Sequence, residues 1–156
     1  MSTPIPASIS REHRQLHDDL ARATMEPGLL GVRARELADV LRPHFAKEEG
    51  WALPPLGLLA KLAWGGATQE MAAMLPVTRR LAAELPVMLL EHKQIVAAVA
   101  AFRSAAREVE RADYLRLADA LLMHAQQEEE VLYPAAVLVG AYLEVKLHAA
   151  EQPEPA

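Results

Sequence analysis

A chain of 156 residues is about one domain long, and its formal net charge of −5 comes from acids and bases interspersed along it, so it leaves no room for a second catalytic domain and offers no basic footprint for nucleic acid. It has no cysteine, which removes disulfides, thiolate nucleophiles and Cys-held iron–sulfur clusters. Hydrophobic residues reach 52% while aromatics stay at 4%, a composition of packed helices that predicts an all-α fold.

In chain order, Ile9, Leu16 and Leu20 recur at helical spacing up to a break at Pro27-Gly28, which predicts a first helix from about Ala7 to Met25. The second runs from about Leu29 to Glu49, ended by Gly50 and Pro54-Pro55, with Pro43 expected to bend it just before His44. A Leu-, Ala- and Met-rich insert, Pro54 to Leu85, is broken by Gly65-Gly66 and Pro76 into two short helical pieces. Its apolar content, with Trp51 and Trp64 near its start, suits packing across one end of a bundle. A third long helix spans roughly Pro86 to Glu110, or starts as early as Val77. Asp113 is the expected N-cap of a fourth helix through Val131, and Pro134 begins a C-terminal helix to about His148. Residues 1–150 thus form one domain and 151–156 a frayed tail. Met1 to Ser10 lacks a basic region followed by a long apolar stretch, and about 18 uncharged apolar residues occur nowhere in succession, so a cytoplasmic protein without a membrane partner is expected.

The chain also repeats itself. Leu37 to Pro54 aligns without gaps on Leu117 to Pro134 with 8 identities in 18 positions, and upstream Glu12-His13 matches Glu91-His92. Two similar helical hairpins facing each other across a pseudo-twofold axis bury both apolar faces, which predicts an antiparallel four-helix bundle, up-down-up-down. In each half a His precedes a Glu by four residues, one turn away on the same helical face: His44 and Glu48, His124 and Glu128. With His13 and His92 the halves bring four imidazoles and two carboxylates to the bundle axis. That sulfur-free donor set suits iron, manganese or zinc, and two bridging carboxylates suit two ions about 3.5–4 Å apart. The Glu-x-x-His pairs of the other four-helix di-iron design and the zinc-protease signature His-Glu-x-x-His are both absent.

These elements, Glu12-His13, His44-x3-Glu48, Glu91-His92 and His124-x3-Glu128-Glu129, with Leu53-Pro54 and Tyr133-Pro134 after them, resemble the bacterial His-His-Glu cation-binding branch of the hemerythrin family. The resemblance covers about Ile9 to Leu147. It implies a carboxylate-bridged pair of iron ions, oxo- or hydroxo-bridged, and chemistry with dioxygen or a related small molecule. The family's ligands carry over to His13, His44, Glu48, His92, His124 and Glu128. Oxygen-carrying members have a His-x3-His on the third helix; here it falls on the first, as His13 and His17, and Val96 stands at the matching place of the third. His13, His17 and His44 are therefore expected on one metal and His92 and His124 on the other, with Val96 beside an open position roofed by Met88, Val99 and Leu121.

Glu12 and Glu91 either orient an imidazole or begin a solvated face. Glu49 and Glu129 point about 100° away from their ligand neighbours, so solvent or a helix-end contact is expected of them. His148 reads as a surface residue. Tyr133 reads as packing at the bundle end, with a redox-active phenol as the alternative. Reversible binding or sensing of dioxygen, peroxide or nitric oxide is the first functional reading. A di-iron oxidoreductase is the second, and an iron-storage or stress-response module the third; oligomeric state is left open.

Overall fold

The computed structural model describes residues 5–151 and the side chains up to His148, so the tail beyond Glu151 lies outside the described residues. Six α-helices follow one another: α1 Ala7–Thr24, α2 Gly28–Lys47, α3 Leu59–Gly65, α4 Leu75–Glu108, α5 Ala112–Gln127 and α6 Tyr133–Glu151. The described residues contain no strand. Helix α1 packs on α2 and α5, and α4 packs on the same two, which closes a four-helix bundle. Short links join α1 to α2 and α4 to α5, so each pair is an antiparallel hairpin.

The long insert between the hairpins folds as two 3-10 segments, Pro54–Leu58 and Gln69–Met74, flanking α3. Leu58, Met71 and Met74 pack on Val139, Leu143 and Leu147 of α6, so the insert covers the C-terminal helix. Trp51 is buried with Arg80 over its ring, whereas Trp64 is 89% exposed and closes nothing.

Helix α4 is longer than the sequence predicts. It begins at Leu75, takes Pro76 in its first turn, where no amide is needed, and continues through Pro86. An interior proline costs about 3 kcal/mol. Burial of Leu81 and Met88 with Tyr133 and Ala136 offsets that cost, each large apolar side chain contributing roughly 1.5–3 kcal/mol. Helix α2 likewise carries Pro43 without interruption. The N-cap of α5 is Arg111, and Asp113 lies in the first turn, bound to the Arg111 guanidinium at 2.9 and 3.0 Å.

The largest difference comes after Lys47 and Gln127. Both helices continue into a π-helical turn, Glu48–Ala52 and Glu128–Leu132, that the sequence places as helix ends. The wider turn is closed by i→i+5 bonds from the Leu53 amide to the Glu48 carbonyl, at 2.9 Å, and from the Tyr133 amide to the Glu128 carbonyl. Such turns insert one residue into the helical register and concentrate at functional sites.

Two apolar clusters hold these parts in place. One joins Leu16, Leu20, Leu37, Leu41, Val99 and Phe102 among others in the body of the bundle. The second joins Trp51, Leu53, Leu56, Leu81, Met88 and Tyr133 beyond the π turns. His13, His44, His92 and His124 lie in sequence between these two layers. By length and composition alone, Gln69–Glu108 and Ala112–His148 are apolar enough to cross a membrane, yet they carry the buried His92, His124 and Glu128.

Candidate metal centre

Each of the four bundle helices sends one imidazole inward: His13 from α1, His44 from α2, His92 from α4 and His124 from α5, all buried with Glu48 and Glu128. The i,i+4 spacing on α2 and α5 works as helix geometry requires, with Nε2 of His44 2.8 Å from Glu48 and Nε2 of His124 2.9 Å from Glu128. Ligand atoms converge on two groups, His13–Glu48–His124–Glu128 and His44–Glu48–His92–Glu128, each within 4.8 Å. Both carboxylates belong to both groups, the arrangement required of bridging residues.

This pairing corrects the expected one. His13 pairs with His124 and His44 with His92, because α1 lies beside α5 and α2 beside α4 at this level. Each group thus takes one imidazole from each hairpin.

The outer ring nitrogens repeat the pattern. Nδ1 of His13 meets Glu49 at 3.1 Å, Nδ1 of His92 meets Glu129 at 2.9 Å, Nδ1 of His44 meets Glu91 at 2.8 Å, and Nδ1 of His124 meets Glu12 at 3.1 Å. A carboxylate on Nδ1 fixes the tautomer and turns Nε2 toward the centre. Glu49 and Glu129 are solvent-exposed and outside both donor groups, as expected, but each also bonds an imidazole, a role that the expectation lacked. They do point away from Glu48 and Glu128, but the imidazole of the other helix in their own hairpin stands there. Glu12 and Glu91 resolve as orienting residues, and Lys47 pairs with Glu91.

Charge follows this geometry. Burial works to lower each imidazole and the carboxylates outweigh it, so all four are held above the ordinary histidine range. Glu128 and Glu48 do this for His13, Glu48 and Glu91 for His44, and Glu128 and Glu48 for His124. His92, beside Glu128, Glu48 and Glu129, is pushed up to about 10. Burial would raise Glu128, but His124, His13 and His92 hold it far below the usual carboxylate range.

Within the centre, Nε2 of His13 and of His124, Oε2 of Glu48 and Oε1 of Glu128 make no well-aligned hydrogen bond, although Nε2 of His124 stands 2.9 Å from Oε1 of Glu128. An unmade buried bond costs about 1–3 kcal/mol, so four such atoms in one group fit a set of donors built around a cation. With four imidazoles and two carboxylates, the residues fit a pair of first-row transition ions or zinc.

Tyr133 also reaches the centre. Fully buried, its hydroxyl donates to Glu48 and lies 3.4 Å from Nε2 of His44 and 3.3 Å from Nε2 of His92. Burial and the charges of Glu48 and Glu128 push the phenol well above its ordinary range. The repeat held the signal, since Tyr133 stands where the other half has Leu53, but the π turn that swings it inward is invisible to a 3.6-residue period.

Two sequence-predicted residues are not brought in. The His17 side chain is 37% exposed, its Nε2 3.6 Å from Glu49. Phe45 occupies the intervening space, its ring 4.7 Å from His17 and 4.8 Å from His13. Val96 is 44% exposed, so it borders no buried open position. Met88, Val99 and Leu121 are buried, the first in one apolar layer and the other two in the next. His148 is exposed on α6, as expected. A half-enclosed cavity of roughly 200 Å³ lies against the His13 side instead, lined by Ile5, Ile9, Ser10, His13, Arg14, Glu49 and Leu53.

A four-helix bundle with two overlapping imidazole–carboxylate groups on its axis defines a helical metal-binding protein of the histidine–carboxylate class. The sequence matches the model of the hemerythrin HHE cation binding domain over residues 5–136, and the chain belongs to that family. No curated protein and no solved structure matches it.

Proposed function

We propose that the centre holds two iron ions, carried by His13, His44, Glu48, His92, His124 and Glu128, and binds or senses dioxygen or a related small molecule such as peroxide or nitric oxide in the cytoplasm. The observation that carries this reading is that both buried glutamates belong to both donor groups. Iron held there would supply a redox-active Lewis acid able to accept a small ligand. The protein's part is to fix four imidazoles through their Nδ1 carboxylates, to keep bulk water out with the two apolar layers, and to limit ligand size. Organic substrates ordinarily need about 300–1,000 Å³. The cavity beside His13, at roughly 200 Å³, favours a ligand of a few atoms.

Metal analysis of the purified protein, followed by anaerobic reduction and exposure to air, tests this. About two irons per chain and a visible absorption change on air exposure are expected. Zinc at one equivalent, or no metal, overturns the reading. Tyr133 favours one alternative, a peroxide-decomposing oxidoreductase, because its hydroxyl sits on Glu48 where a proton is needed. Sustained turnover of added peroxide would select that reading over reversible binding.

A further inference from the structure

Each of the four inward imidazoles has a carboxylate on Nδ1, and among the described residues only one of those carboxylates also binds a lysine or arginine. Glu91 takes Nδ1 of His44 on Oε2, at 2.8 Å, and the Lys47 ammonium on Oε1. Lys47 follows His44 by three residues, one turn along the same flank of α2, which brings its stem to the carboxylate that His44 uses. Three residues after His124 the repeat has the neutral Gln127 instead, and the carboxylate on His124 is Glu12. The charges beside the other two histidines balance, since Arg14 after His13 is matched by Lys93 after His92. His17, 3.6 Å from Glu49, carries no fixed charge.

We propose that Lys47 makes the two metal positions unequal: the His13–His124 group fills first, and the His44–His92 group, held through Glu91 and Lys47, is the weaker and fills second. This rests on the metal reading above. A carboxylate on Nδ1 raises the basicity of the ring nitrogen that meets the metal. An ammonium on the same carboxylate draws that negative charge away from the ring and adds its own repulsion to an incoming cation. Glu91 is 25% exposed against 42% for Glu12, so water screens the lysine end less. Lys47 is a positioning residue and not a ligand, because an ammonium offers a metal no lone pair. Under limiting metal the chain would therefore hold one ion, between His13 and His124.

Anaerobic titration of iron(II) into metal-free protein against a chromophoric chelator, with metal content at saturation measured on every sample, is the test. Repulsion between neighbouring ions separates the two steps in any such centre, so the variants decide and the gap alone does not. Lys47→Gln, which copies the residue of the other half, should tighten the second step by roughly threefold to tenfold and leave the first in place. That is less than the about 10–100-fold typical of losing an orienting carboxylate, because Lys47 stands one contact further out. Gln127→Lys should weaken the first step by a similar factor, and Lys47→Arg, which keeps the charge, should behave as wild type. A lysine that merely props Glu91 would give the opposite sign in Lys47→Gln and no effect in Gln127→Lys. A second step unchanged or weakened in Lys47→Gln, or a first step unmoved in Gln127→Lys, overturns the inference while leaving the metal reading intact. A wild-type protein that takes up fewer than two irons overturns the metal reading and the inference with it.

Discussion

The hairpin of α1 and α2 and the hairpin of α4 and α5 supply identical donors but surround them differently. His13, His44 and Glu48 have counterparts in His92, His124 and Glu128, and the orienting carboxylates Glu12 and Glu49 have theirs in Glu91 and Glu129. Their apolar neighbours are not equivalent. Leu53 faces Tyr133 across the repeat, Phe45 stands where the second half has Ala125, and His17 where it has Val96. The donor set is thus close to twofold symmetric, and the packing around it decides which side carries the Tyr133 hydroxyl and which adjoins a cavity.

The strongest way to break this comparison is to remove a residue that both halves share. Glu48→Gln and Glu128→Gln should each reduce bound metal from about two per chain to less than one, whereas His13→Ala, which touches one group, should leave about one. Elemental analysis after metal reconstitution reads this directly. If a Gln variant keeps one ion, that glutamate serves a single half.

Acidity gives the next largest effect, because it acts on four imidazoles together. In metal-free protein each is raised, His92 to about 10. A raised imidazole contributes stability that is fully present below its unfolded value near 6.5 and lost as pH rises through the folded value. Metal-free protein should therefore become steadily less stable from about pH 6.5 to pH 10 in urea titrations. Metal-loaded protein should not, since a coordinated imidazole has already given up its proton. For the same reason, metal uptake near pH 7 should release protons, seen as a calorimetric heat that varies with buffer.

Packing is the third level of the comparison. Phe45→Ala gives the first half the residue that the second half has at 125. Removing so buried a ring should cost about 3–5 kcal/mol in denaturant unfolding of the metal-free protein. It also clears the ring between His17 and the centre. Should His17 move in once Phe45 is gone, metal affinity in Phe45→Ala will fall by a further factor on adding His17→Ala. Equal affinity of the single and double variants would show that Phe45 is not what holds His17 out.

These effects mark where the sequence was legible. Helix periodicity and the repeat were enough to place four helices and to draw six donors onto one axis, because both depend on side-chain spacing along a single element. The Nδ1 contacts of Glu49 and Glu129, the His13–His124 pairing and the exclusion of His17 by Phe45 depend on which helices lie side by side, and no spacing within one helix carries that. The π turns are the intermediate case. They follow the pattern His-x3-Glu-x4-Leu/Tyr-Pro, but 3.6-residue logic reads Gly50 and the Pro after each copy as ends rather than as a register shift. Tyr133 was lost to the same misreading, since a helix that ended at Val131 would have left it at the periphery.

The two hairpin links provide the mildest test. Each has one residue at positive φ, in the first at the start of α2, where Gly28 has φ +67°. In the second it is Glu110, with φ +54°, whose amide donates a hydrogen bond to the Arg107 carbonyl while the Arg111 amide donates one to the Ala106 carbonyl. That pair of bonds is the Schellman closure of α4, in which glycine is the favoured residue because a side chain crowds the backbone at positive φ. Glu110→Gly should therefore stabilise the protein by about 0.5–1 kcal/mol, the relief of strain exceeding the added freedom of the unfolded chain. The shift should be read as a small rise in melting temperature at unchanged metal content. A fall would mean that the Glu110 side chain contributes more than its backbone costs.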